Sequence, residues 1–112
     1  MQITTTQQGN VLVITVSEQR LDARCAGPFR ELTTNFIQSG HSKLVLNLAT
    51  VEFIDSSGLG ALVAVLKAIG SREGLVLCGI REPILRLFKL TRMDKVFSIT
   101  SGEPEALAKL AA

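Results

Sequence analysis

The residues best suited to chemistry fall in one stretch, Asp55-Ser56-Ser57-Gly58-Leu59-Gly60. It brings together an acid, two hydroxyls and two glycines. An apolar run from Lys43 to Ala49 leads up to it, and a run with helical spacing leaves from near Ser57 and ends near Gly70. In α/β proteins the turn between a strand and the following helix is where ligands and reactive groups collect. The first amides of that helix lack intrahelical acceptors, and the helix dipole makes the end partly positive. A phosphate is the natural guest there. Here a serine hydroxyl stands at the spot, so the phosphate can be held covalently.

Several uses of the stretch compete. Nucleophilic catalysis by Ser56 needs a base within hydrogen-bond reach. The only histidine, His41, precedes the strand that Ser56 follows, which puts the two at opposite sheet ends, roughly 20 Å apart. The Gly-X-Ser-X-Gly pattern is also missing. Nucleotide binding would use Gly58 and Gly60, but neither a Gly-Lys-Ser/Thr ending nor a dinucleotide fingerprint follows. One histidine, two distant cysteines and scattered carboxylates give no metal-ligand spacing. Phosphorylation fits better. It adds about −1.5 to −2 charge at pH 7, stabilised by the helix end and opposed by Asp55 and by Asp22 across from it. The plain alternative is a capped turn: Ser56 or Ser57 caps the helix, Gly58 permits the bend, and Asp55 adds a favourable charge.

The elements that position the stretch follow from periodicity. Residues 2 to 17 alternate as a β-hairpin about Gln8-Gly9-Asn10. Asp22 is placed to cap a helix from about Ala23 to Ser39, with Cys25, Phe29, Leu32 and Phe36 on one face. Lys43 to Ala49 and Leu75 to Ile80 read as buried strands. The helix between them turns Leu59, Leu62, Val63, Leu66 and Ile69 inward. Gly60, Ala64, Lys67 and Ser71, with Ala61 and Ala68 beside them, then form a flat outer face of small residues suited to docking, the plain alternative being that alanine simply favours helix. Pro83 opens a helix carrying Ile84, Leu87 and Phe88. Val96 to Thr100 is a short edge strand, and a last helix docks through Leu107 and Leu110. The fold class is α/β: a short mixed sheet, an N-terminal hairpin followed by alternating strands and about four helices.

Composition bounds the rest. The 112 residues, 46% hydrophobic and 20% charged, suit a single domain spanning 1–112. A net charge of +2 and 4% aromatics disfavour a nucleic-acid partner. No apolar run reaches the roughly 20 residues of a membrane span, and the start lacks a signal-peptide pattern. The expectation is a cytoplasmic protein with no membrane insertion. Cys25 and Cys78 read as packing residues. Arg81, Arg86, Lys89, Arg92 and Lys95 read as a solvated basic face.

With Leu21-Asp22-Ala23, Leu44 to Asn47, Pro83 to Leu90 and Val96-Phe97, the motif Asp55-Ser56-Ser57-Gly58-Leu59-Gly60 resembles the STAS domain family, and within it the bacterial anti-sigma factor antagonists. The resemblance implies partner switching. The unphosphorylated antagonist binds an anti-sigma factor that is also a serine kinase, which frees a sigma factor for RNA polymerase. The kinase uses ATP to phosphorylate Ser56, binding is lost, and a PP2C-type phosphatase resets the switch. Asp22, Asp55, Ser57 and Gly58 would surround the phosphosite. The partner surface would be Leu59, Gly60, Ala61, Ala64, Lys67, Ala68 and Ser71. The chain itself would need no cofactor or metal and would not be an enzyme. The alternative is a non-switching STAS scaffold, or an accessory subunit of a larger assembly such as a lipid transporter. Two positions depart from the family pattern: Gln19 and Arg92 stand where the family often has glycine. A left-handed backbone at either would cost of order 1 kcal/mol.

Overall fold

The apolar runs Val11–Val16 (β2), Leu44–Asn47 (β4) and Leu75–Cys78 (β6) lie side by side, parallel, at the centre of a five-stranded sheet. The computed structural model describes residues 1–111. Ile3–Gln8 (β1) pairs antiparallel on the outer side of β2 through a turn in which Gly9 adopts φ 62°. Ser98–Thr100 (β7) closes the other edge, parallel to β6. The mixed sheet expected from sequence is therefore present, in the order β1-β2-β4-β6-β7.

The two sheet faces have different covers. Leu12, Ile14, Leu44, Leu46, Leu75 and Leu77 share a core with Phe29, Leu62, Val65, Ile84 and Phe88. These come from three helices, Ala26–Gln38 (α1), Ser56–Ile69 (α2) and Glu82–Leu90 (α3). On the opposite face Val11, Val13, Val45, Val76 and Cys78 meet Ala106 and Leu110 of Glu103–Ala111 (α5). Burial pushes the Cys78 thiol up to about 11, with Glu103 and Glu105 adding to the effect. Cys78 is thus a neutral packing residue.

Several expectations need correction. Met93–Val96 forms an extra single-turn helix (α4), so the described residues hold five α-helices where about four were expected. It follows Arg92, whose φ of 64° places a non-glycine residue in the left-handed region. Gln19 is not in that region. Helix α1 starts at Ala26, not Ala23, and its N-cap residue is Cys25, which makes no side-chain cap. The inward stripe of α1 is Ala26, Phe29 and Thr33, while Leu32 is 37% exposed. Thr33 tolerates burial because its hydroxyl donates to the Phe29 carbonyl at 2.9 Å. In α5 the buried pair is Ala106 and Leu110, with Leu107 only partly covered.

The segments leading into α1 and into α2 hold one feature that periodicity did not reveal. Arg20–Leu21 (β3) and Phe53–Ile54 (β5) form a two-stranded parallel ribbon separate from the main sheet. Arg20 lies opposite Phe53, and Leu21 opposite Ile54. Leu21 and Ile54 are buried, which anchors the ribbon on the core. The ribbon sets the Asp22 loop against the start of α2.

Candidate functional site

Asp55, the last residue before α2, is the helix cap. Its Oδ1 accepts the Gly58 amide at 3.0 Å, the favoured N-cap geometry. Neither serine caps the helix, contrary to the capped-turn alternative. The second Asp55 oxygen, Oδ2, accepts the Ala23 amide at 3.2 Å. One carboxylate therefore ties the helix start to the Asp22 loop. Ser56 and Ser57 occupy the first two helical positions and are exposed. Among the described residues no hydrogen-bond partner is assigned to either hydroxyl or to either amide. An accessible hydroxyl thus stands over free helix-terminal donors, the arrangement that favours an anion.

Gly58 serves a different purpose from the bend expected of it. It is helical and buried, and a Cβ built on it would lie 2.1 Å from the Leu21 carbonyl oxygen and 3.0 Å from Ile54 Cγ2. Its missing side chain lets α2 sit directly on the β3–β5 ribbon. Asp22 lies on the other wall. Its Oδ1 accepts the Arg24 amide at 3.1 Å, and its Oδ2 accepts Arg20 Nε at 3.2 Å. The Arg20 hydrogen bond, then the Arg24 amide, hold the Asp22 carboxyl below its ordinary range.

Arg20, Arg24 and Phe53 belong to this site and were not singled out from sequence. The Arg20 guanidinium carbon lies 4.1 Å from the centroid of the Phe53 ring, a cation–π contact, and Phe53 is 40% exposed. Arg24 Nη2 lies 3.9 Å from Asp22 Oδ2. The usable signal was the pair of arginines flanking Asp22 in sequence.

On the proposed docking face Gly60, Lys67, Ala68 and Ser71 are exposed, and Leu59 and Ala64 are half-buried. Ala61 is only 5% exposed and turns into the core, so it leaves the expected surface. Ser71 sits past the Gly70 cap, where its hydroxyl oxygen accepts the Glu73 amide at 3.2 Å. His41 follows α1 and packs edge-on against Phe36, with ring centroids 6.0 Å apart. It contributes nothing to the serine. No group of three or more metal-ligating side chains occurs among the described residues.

The STAS domain family profile matches residues 2–106. The chain belongs to the STAS domain family. An anti-sigma-B factor antagonist of Staphylococcus aureus is 30% identical over 103 residues, covering 91% of this chain and 94% of its own length. An anti-sigma factor antagonist STAS domain protein from Planctomyces limnophilus superposes with a TM-score of 0.87 at 27% identity, covering 98% of each chain. An anti-sigma factor antagonist from Mycobacterium paratuberculosis gives 0.88 at 26% identity, over 99% of this chain and 94% of its own. The STAS relationship agrees with the fold and with the motif at the tip of α2. No helix among the described residues is long and apolar enough to cross a membrane.

Proposed function

We propose that this chain is an anti-sigma factor antagonist whose docking to an anti-sigma factor kinase is switched off by phosphorylation of Ser56. The observation that carries the reading is the exposed Ser56 hydroxyl at the first position of α2, beside a face of small residues. Unphosphorylated, that face offers Gly60, Ala64 and Ala68 for close approach to a partner. The kinase's ATP donates its γ-phosphoryl to Ser56 Oγ, the hydroxyl proton goes to a base on the kinase, and ADP leaves. The product carries about −1.5 to −2 charges next to Asp55 and Asp22. Against an acidic or apolar partner patch such a charge costs several kcal/mol. A PP2C-type phosphatase hydrolyses the ester and restores docking. The released sigma factor is then free for RNA polymerase. ATP belongs to the kinase, and this chain supplies only the acceptor and the surface.

The naming of its relatives supports this reading. The Bacillus protein SpoIIAA, in unphosphorylated and in phosphorylated form, superposes on this chain with a TM-score of 0.71 each time. At 16% and 18% identity this speaks to fold alone.

The test is phosphotransfer. The chain is incubated with ATP and candidate anti-sigma factor kinases from the same genome, and its intact mass is followed. Wild type should gain one phosphoryl group and Ser56→Ala none. A wild-type chain that no candidate kinase modifies, or one modified equally after Ser56→Ala, contradicts the proposal.

A further inference from the structure

We propose that Arg24 is the counter-cation of the phosphorylated state: when Ser56 carries a phosphoryl group, the Arg24 guanidinium leaves Asp22 and pairs with it. The inference rests on the reading of Ser56 as the phosphosite. The placement comes from one hydrogen bond. Ala23 donates to Asp55 Oδ2 at 3.2 Å. Ser56 follows Asp55 and Arg24 follows Ala23, so each stands one residue from that bond. The base of Arg24 is fixed, because its own amide donates to Asp22 Oδ1 at 3.1 Å. Its side chain is loose. It is 86% exposed, and the 3.9 Å approach to Asp22 is too long for a hydrogen bond. The guanidinium end of the pair is solvated and makes no hydrogen bond, and Asp22 keeps its Arg20 and amide hydrogen bonds when it opens, so little is lost.

The other nearby cation is already engaged. Arg20 Nε is 3.2 Å from Asp22 and its guanidinium lies on the Phe53 ring. After the exchange Asp22 still accepts from Arg20 Nε and from the Arg24 amide. The charged groups nearest the phosphosite are then Asp55 and Asp22 with Arg24, while Arg20 stays on Asp22 and Phe53. Lys67 is eleven residues along α2, about 16 Å away at ~1.5 Å per residue. A phosphoryl group with nearly two charges accepts paired N–H bonds from a guanidinium better than a single carboxylate does. The resulting bridge ties the tip of α2 to the loop before α1. It therefore extends the phosphorylated surface across both walls of the site.

The phosphoserine's own titration reads this contact. The full chain is made with phosphoserine genetically encoded at position 56, and its second ionisation is followed by phosphorus NMR. A neighbouring cation favours the dianion, so Arg24→Gln should raise that pKa by at least about 0.3 pH unit. Arg20→Gln should move it by less than about 0.1. An unchanged value after Arg24→Gln, or an equal rise after Arg20→Gln, overturns the assignment. Because the phosphate is installed without a kinase, a negative result here leaves the Ser56 switch standing. Failure of phosphotransfer in the kinase assay, in turn, leaves this titration untouched.

Discussion

Gly58 is fixed as glycine by a backbone oxygen and not by a turn. In an exposed helix alanine gains up to about 1 kcal/mol over glycine. Here the added methyl would meet the Leu21 carbonyl at 2.1 Å, and that strand cannot move without lifting the ribbon off the core. Overpacking of this kind costs about 1–3 kcal/mol. Gly58→Ala is therefore expected to lower the free energy of unfolding by about 1–3 kcal/mol in urea titrations. A stabilised Gly58→Ala would mean that α2 and β3 are not in contact. Asp55 shows the same economy, with one oxygen on the helix amide and one on the facing loop. Sequence marked both residues as important but misread what they do. An aspartate before a helix suggests a helpful charge, and only the fold shows that its second oxygen has a partner 32 residues away. Arg92 is the reverse case. Its departure from the family's glycine correctly raised the question of a left-handed backbone, and φ is 64° there.

At the scale of elements, α2 does two jobs with its two sides. Leu62 and Val65 fill the core, while Gly60, Lys67 and Ala68 stay exposed. Gly60 separates the two roles. A Cβ built on it meets nothing within 4 Å. Gly60→Ala is thus expected to raise stability by about 0.5–1 kcal/mol in thermal or urea melts. The same methyl roughens the docking face, so the affinity for the anti-sigma partner should fall. If stability and affinity rise together, the partner does not approach that face closely. Helix existence and phase were readable because the apolar period extends over many residues. The edges of the stripes were not. Ala61 turns inward where α2 packs against α1 and the sheet, and in α1 Thr33 takes the buried position with its hydroxyl bonded within the helix, while Leu32 lies at the exposed edge of the stripe. The β3–β5 ribbon escaped because two-residue strands show no period, and only their pairing defines them.

At the scale of the molecule, the sheet is a rigid platform with one thickly and one thinly covered face, and the site lies at the loop end of the ribbon. The hairpin was legible from its turn and strand-like runs, and the alternation of strands and helices because burial on both faces leaves continuous apolar runs such as Leu44 to Leu46. Which loops meet around the serine was not, since the Asp22 loop reaches Asp55 only through tertiary contacts, the Ala23 amide on Asp55 Oδ2 and the β3–β5 pairing. A platform of this kind can accept a charge at its surface without rearranging, so the signal passes to the partner as lost complementarity. The most direct measurement is the dissociation constant between a purified anti-sigma factor kinase from the same genome and three forms of this chain: unmodified, Ser56→Ala, and phosphorylated at Ser56. The unmodified and Ser56→Ala chains should bind alike, and the phosphorylated chain at least about 100-fold more weakly, as several kcal/mol of repulsion requires. Equal affinity of the phosphorylated and unmodified chains would contradict the switch.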